Sequence, residues 1–441
     1  MIVALGDRCG AARYADVVDS APAPLQSPSE RAQALTAELA LLAPAAAALL
    51  SPLGRRAALP LGIPQQSAEA AGCERQATIG QITTGAGRPL TLPAIASHFV
   101  DLDPRQAFLY APTAGLRALR EAWGARLDAP GVSLPVVTAG MSHGLSLVAE
   151  MFSGPERPVV LATPYWDNYA TIWSMRNEAP LFDFEFFAGE GFNIAGMSRQ
   201  LDRLDGPGTL LLNFPNNPTG YSPTRAEAEA IVERILRHPH PLCVLCDDAY
   251  HGLYFDEDCL GDSLFRMLAA RGDPSRLVTC KVDGATKELV FFGGRVGFLT
   301  FSLGGRAGEI LAEKAATLLR STISSVSSPA QAAVLAALRD PLLAAQEAEV
   351  VGTLARRYRA LKAALAEAEL EHYPFNSGCF ALLRLPAGAD TNEVRRRLIR
   401  EQSTGVIAVP QAHGLRVAFC SVDETDIDDL VARIARVVRS L

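Results

Sequence analysis

The chain has 441 residues, of which 49% are hydrophobic and 20% charged. That balance supports two or three structural units with a large buried core and excludes disordered and collagen-like chains. With 41 basic and 48 acidic residues the formal charge is −7, so no basic surplus exists to neutralise phosphates, which argues against nucleic acid as the main partner.

Residues 1 to about 25 read as irregular, with Ala21-Pro22-Ala23-Pro24 as a spacer. They lack the basic, apolar and small-residue regions of a signal peptide. Helical spacing runs from Ser29 to about Leu53. Its most apolar part, Leu35–Leu50, carries Glu38 and Pro44 and is shorter than the roughly 20 residues of a membrane span. Two short helices joined near Pro44 are expected, and no membrane partner. Residues 78–93, rich in Gly and Thr, predict a loop or short strand. A helix is predicted over Ala114–Leu127, with Leu116, Leu119, Trp123 and Leu127 as its apolar stripe.

Short apolar runs then alternate with helical stretches. The expected strands are Val136–Thr138, Pro158–Ala162, Thr209–Asn213, Leu242–Cys246, Leu277–Lys281, Leu289–Phe292 and Gly297–Phe301. Helices such as Gly144–Phe152 and Thr224–His238 separate several of them. This pattern predicts an α/β fold with a mostly parallel sheet covered on both faces. Residues 307–370 read as largely helical, as a long interdomain helix would. The tail reads strand (Phe380–Leu385), helix (Thr391–Glu401), strand (Val406–Val409), strand (Leu415–Phe419), helix (Asp426–Ser440), a compact α+β module.

Eight cysteines (Cys9, Cys73, Cys243, Cys246, Cys259, Cys280, Cys379 and Cys420) are spread along the chain, which suits a reducing, cytoplasmic setting. Cys243 and Cys246 form a CxxC but fall inside an expected buried strand, without a second pair at metal spacing. His238 and His240 likewise lack companions, so no metal site is expected.

Ligands of open parallel sheets bind outside the carboxyl ends of the strands. Here those ends carry Asn213-Phe214-Pro215-Asn216-Asn217-Pro218-Thr219-Gly220, then Asp247-Asp248-Ala249-Tyr250, then Asp283-Gly284-Ala285-Thr286-Lys287, then Arg295-Val296-Gly297. The Asn-Pro-Thr-Gly motif, an Asp-x-Ala-Tyr 30 residues on, a Lys, and an Arg-Val-Gly eight residues past it together resemble the fold-type I, pyridoxal-phosphate-dependent aminotransferases of class I/II. The likeness runs from about residue 76 to the end.

The resemblance implies a large domain (76–320) with a seven-stranded, mostly parallel sheet. A small α+β domain (321–441) and an N-terminal extension (1–75) that packs on it or covers the active site complete the expectation. It implies pyridoxal 5'-phosphate as cofactor, held by Lys287 as a Schiff base, with Lys287 also moving the Cα proton as a general base. Asp247 would keep the pyridine nitrogen protonated, so that the ring acts as an electron sink. Asn217 and Tyr250 would bond the phenolic oxygen, and Trp166 would stack on the ring, with Tyr165 or Tyr169 as alternatives. Gly140, Met141 and Ser142, at a helix start, and Arg295 would hold the phosphate, with His143 close by. Tyr110 matches a residue lent across a homodimer interface. Arg416 would grip the substrate α-carboxylate, with Asn217 and the Gly80 backbone on the substrate side.

Three departures stand out. Gly284 occupies a position where many relatives carry a hydroxyl, for which Thr286 or Ser142 could compensate. No second Arg for an acidic side chain is placed, Arg320 being the only cation near Ser321–Pro329. The segment Pro60–Thr84 is an unusual candidate lid. Transamination between an amino acid and a 2-oxo acid is the expected reaction. The alternative is β- or γ-elimination or replacement on a substrate such as S-adenosylmethionine. A cofactor-sensing regulator would need a basic N-terminal DNA-binding domain, and the first 75 residues do not read as one.

Overall fold

Period-two alternation in short apolar runs builds the central sheet, and it is seen residue by residue. In the computed structural model, which describes residues 28–58, 62–85, 87–99 and 102–441, seven strands form this sheet. They are β1 (Val136–Ala139), β2 (Val159–Thr163), β3 (Leu181–Glu185), β4 (Gly208–Asn213), β5 (Leu242–Asp247), β6 (Leu277–Gly284) and β7 (Val296–Phe301). Their order is β1-β7-β6-β5-β4-β2-β3. All neighbours are parallel except β7, which runs antiparallel to both β1 and β6. Leu211 and Leu245 belong to the core on one face, Leu210, Leu212, Val244 and Cys246 to the core on the other. Both faces are covered, as parallel sheets require. The same alternation separates the CxxC thiols: Cys243 lies in one core and Cys246 in the other, so the two cannot chelate one ion.

One expected strand needs correction, and one strand was not expected. Leu289–Phe292 is not a strand. It follows a single helical turn, Ala285–Glu288, and its amides return to that turn: Leu289 N–H and Phe291 N–H both donate to the Ala285 carbonyl, at 3.2 and 3.1 Å. The seventh strand is instead Leu181–Glu185, paired parallel with β2 at the sheet edge. Its Leu-Phe-Asp-Phe-Glu alternation, with Asp183 and Glu185 exposed, differs from the uniformly apolar runs of the centre. Residues 307–370 also differ from one long helix. They form three, Gly305–Ile323, Ser328–Leu338 and Leu343–Glu367.

The C-terminal module has its own core. Strands β8 (Ala381–Arg384), β9 (Ile407–Val409) and β10 (Gly414–Val417) form an antiparallel sheet with β10 central. Helices Leu343–Glu367 and Ile427–Val438 contribute Leu361, Leu365, Leu430 and Ile434 to that core. The chain near residue 75 joins it: Arg75 and Gln76 pair in parallel with Thr404 and Gly405, and the Gln66 amide bonds both the N–H and the carbonyl of Ala408.

Residues 28–58 belong to a separate compact unit from residues 62–441. Three short helices, Pro28–Leu42, Pro44–Leu49 and Pro52–Arg56, make it up. The break expected near Pro44 falls at Ala43, since proline disfavours helical backbone in the residue before it. Ser51 caps the third helix by accepting from Gly54 N–H at 3.1 Å. The irregular start expected for residues 1–25, with Ala21–Pro24 and Cys9, lies outside the described residues.

Candidate active site

The strand ends converge as the sequence motifs require. Asn213 and Asp247 are cross-strand partners at the last rung of β4 and β5, and Lys287 sits on the helical turn that follows β6. Beside them lies a cavity of about 280 Å³ lined by Lys287, Asp247, Tyr250, Asn217, Trp166, Met141, Ser142, Arg295, Arg416 and Gly80. Gly140 adjoins it through Arg295. Tyr110 does not line it and is 93% exposed.

Asp247 is buried, and burial raises its pKa to about 6. The Tyr169 hydroxyl donates to its Oδ2, and the Ala249 amide donates to Oδ1 at 3.2 Å. Both bonds favour the ionised form, as does the nearby Lys287 ammonium, while Asp248 opposes it. Asn213 fixes the local backbone. Its Nδ2 donates to the Asp247 carbonyl at 2.9 Å, and its Oδ1 accepts from Asn217 N–H at 2.9 Å. Lys287 is shifted the other way: desolvation lowers its pKa, with Asp247 the largest opposing influence. Its Nζ lies 4.9 Å from the centre of the Tyr250 ring. A lysine held this way offers a neutral amine more readily than a solvated one.

An anion cradle stands at the start of helix Met141–Phe152. Gly140 caps it with φ +76°, and a Cβ there would collide with the Arg295 guanidinium. A Cβ on Gly297 would lie 2.9 Å from the Met141 nitrogen. Glycines thus bring the first helical amides and Arg295 together, which is the donor set a phosphate needs. Gly284 belongs to the same packing. A Cβ on it would lie 2.7 Å from the Val296 carbonyl oxygen and 2.8 Å from Gly297 Cα, so the backbone of β7 excludes any side chain there. The Thr286 hydroxyl is buried without a partner, and Thr286 lines the cavity. His143 is used structurally: its Nδ1 accepts from Ala139 N–H at 3.2 Å, and it does not line the cavity.

Arg416, 2% exposed on β10, points into the site from the C-terminal module. Its Nη1 donates to Asn217 Oδ1 at 2.8 Å and its Nη2 to the Thr78 carbonyl at 2.6 Å. The guanidinium lies 4.3 Å over the Phe380 ring, and Nε is buried without a partner. Gly80 is needed for this platform, since a Cβ there would lie 2.5 Å from Phe380 Cζ. The orphaned Thr286 hydroxyl and Arg416 Nε, with the cradle that Cβ atoms would fill, fit an anionic ring cofactor and a carboxylate substrate.

Tyr169 and Asn213 join the site in positioning roles that the motifs did not assign. Tyr169 reaches Asp247 across 78 residues of sequence, with the Trp166 ring packed edge-on at 5.6 Å. The only signals were the aromatic cluster around Trp166 and the Asn at the end of β4.

A mostly parallel sheet with a lysine, an aspartate and an anion cradle at its carboxyl edge defines a pyridoxal-phosphate enzyme of fold type I. The profile of the family described as Aminotransferase class I and II matches residues 78–434, and the chain belongs to that family. It is 28% identical over 305 residues to an aspartate/prephenate aminotransferase of Cereibacter sphaeroides, covering 66% of this chain and 72% of that one. To an aspartate aminotransferase of Rhizobium meliloti it is 31% identical over 201 residues, 44% of each chain. Similar solved folds include an aminotransferase from Anaerococcus prevotii (TM-score 0.77, 20% identity, 86% of this chain and 97% of that one). Aspartate aminotransferase from Thermus thermophilus with maleate is another (TM-score 0.73, 22% identity, 88% and 99%). The chain is therefore a pyridoxal-phosphate-dependent aminotransferase, and the elimination or replacement alternative is not favoured.

Proposed function

We propose that the chain exchanges an amino group between an amino acid and a 2-oxo acid with Lys287 as the covalent anchor of its cofactor. The observation that carries this is Lys287 and Asp247 on one cavity: an amine eased toward neutrality by dry surroundings, and a carboxylate oriented by Tyr169 and the Ala249 amide. Pyridoxal phosphate, when bound, supplies the aldehyde that takes the amino group and a ring that withdraws the electron pair from Cα. Asp247 holds a proton at the ring nitrogen. The Gly140–Ser142 amides, Arg295 and Thr286 take the phosphate. Asn217, Tyr250 and Trp166 orient the ring, and Arg416 grips the substrate α-carboxylate. Lys287 Nζ takes and returns the Cα proton as a general base.

The exposed run Phe108, Leu109 and Tyr110 supports a homodimer in which Tyr110 serves the neighbouring phosphate site. The seven cysteines among the described residues are all free thiols, which supports a reducing cytoplasm. The separate cores support a sheet domain and a C-terminal domain, but Val326, Val334, Leu343 and Leu354 pack in the sheet's core and Tyr358 and Leu361 in the other, so the division is drawn within helix Leu343–Glu367 rather than at about residue 320.

The test is covalent. Borohydride reduction of the cofactor-loaded protein followed by peptide mapping should place the label on Lys287. An amino acid should discharge the cofactor absorbance and a 2-oxo acid restore it. A label elsewhere, or ammonia release without an oxo acid, would refute the reading.

A further inference from the structure

Asp247 and its neighbour Asp248 leave the end of β5 in different directions. Asp247 lines the active-site cavity, while Asp248 turns away from it. The Asp248 amide continues the ladder to β6 by donating to the Val282 carbonyl at 2.9 Å, and its Oδ2 accepts from Ser263 Oγ at 2.5 Å. Lys281 stands on β6 opposite Cys246, the residue before Asp247. Its Nζ lies 3.0 Å from the same Asp248 oxygen and 2.5 Å from Asp283 Oδ2. Lys281, Asp248 and Asp283 are each at most 3% exposed, so all three charges are enclosed within one chain.

Burial favours the protonated form of Asp247, and the neighbouring Asp248 charge adds to it, while Tyr169, Lys287 and the Ala249 amide act the other way. Cys246 on β5 and Tyr250 in the loop after it also lie close enough to interact with Asp247. Around Lys281 and Asp248 stand Glu288, from the turn after β6, and His251 and Tyr254, from the loop after β5. Burial opposes the charge on Lys281, but Asp248, Asp283 and Glu288 outweigh it and keep the ammonium charged. A cation so close to Asp248 turns a lone negative charge into a compact pair, whose field falls off faster with distance. We propose that Lys281 is a positioning residue for the reaction: by pairing with Asp248 it shields Asp247, so that Asp247 stays ionised and holds the proton at the cofactor's ring nitrogen. This rests on the reading above, in which Asp247 serves that nitrogen.

The experiment measures the affinity of the cofactor-free full chain for pyridoxine 5'-phosphate, by calorimetry from pH 4.5 to 8. This probe has the ring and phosphate but no aldehyde for Lys287. Ionised Asp247 pairs with the protonated ring, so affinity should fall as pH drops through about 6, where burial holds the Asp247 carboxyl. Lys281→Met should move this acid limb up by about half to one pH unit, and Asp248→Asn should move it down by about half a unit. With both substitutions together, the net charge beside Asp247 returns to its original value. The limb should then return to within about 0.3 unit of its original position, while urea titration still shows a loss of stability, because Asp283 remains unpaired. A purely structural role for Lys281 would lower stability without moving the limb. Asp248→Asn keeps Lys281 paired with Asp283, so its downward shift decides the matter even if Lys281→Met does not fold. Single-variant shifts in the same direction, or no shift because a stranded Asp248 takes up a proton, would overturn the proposal and leave the transamination reading intact. An affinity at pH 8 that Asp247→Asn does not weaken would overturn both.

Discussion

Two lysines six residues apart, Lys281 and Lys287, lie in two cavities of about 280 Å³ each and are tuned in opposite directions. Lys281 lies on β6 between two carboxylates, with Nζ 2.5 Å from Asp283 and 3.0 Å from Asp248. Their charges outweigh its burial and raise its pKa. Trp123 and Ser263 complete the network by donating to Asp283 and Asp248. Lys287 has no carboxylate within ion-pairing distance among the described residues, and desolvation lowers its pKa. Burial alone does not make a lysine reactive. Burial without a partner does, and burial with two partners makes a structural pin.

Exchanging the roles of the two lysines should fail in different ways. The largest effect is expected for Lys287→Ala, with transamination falling by about 10⁴-fold or more, the loss of both anchor and base, while the melting temperature scarcely moves. Steady-state assay beside calorimetry checks this. Lys281→Met should leave the borohydride label on Lys287 but unfold the protein about 3–5 kcal/mol more easily, since it strands two buried carboxylates. Urea titration reads that loss.

Asp247 sharpens the comparison through pH. Its folded pKa of about 6 lies above the ordinary 3.8, so the cofactor-free fold binds this proton more tightly than the unfolded chain does. Stability therefore falls as pH rises from about 4 to 6, and above 6 the ionised carboxylate costs roughly 3 kcal/mol. Asp247→Asn should stabilise the cofactor-free protein by up to that amount at pH 8 and by nothing near pH 4, while abolishing most activity. Melting curves at the two pH values decide it. The smallest effect is expected for Tyr169→Phe. Removing the hydroxyl that donates to Asp247 should move the acid limb of the cofactor-binding profile upward by roughly one pH unit or less, about 1 kcal/mol.

Much of this site was legible in the chain itself, because its chemistry is carried by residues at fixed offsets on strand ends. Asn217, Asp247, Lys287 and Arg295 stand in motifs whose order and spacing carry the family resemblance, that resemblance implied Arg416, and the cavity brings all five together. Gly284 looked like a missing hydroxyl. Only the approach of Val296 and Gly297 explains why no side chain fits there. The edge strand Leu181–Glu185 carries the alternation of a half-exposed strand over only five residues, unlike the continuous apolar runs of the central strands, and Leu289–Phe292 read as a strand because an apolar run is equally at home in a buried turn.

Local pattern was enough to determine the alternation of strands and helices, the break before Pro44 and the residue types at the carboxyl edge of the sheet, since each depends on neighbours within a few positions. Which lysine would be paired, that Tyr169 would reach Asp247, and that Arg416 would bond Asn217 and the Thr78 carbonyl were decided only by the tertiary structure. Those relations join segments tens to hundreds of residues apart, and a charge or a hydroxyl acquires its chemistry from whatever surrounds it after the chain has packed.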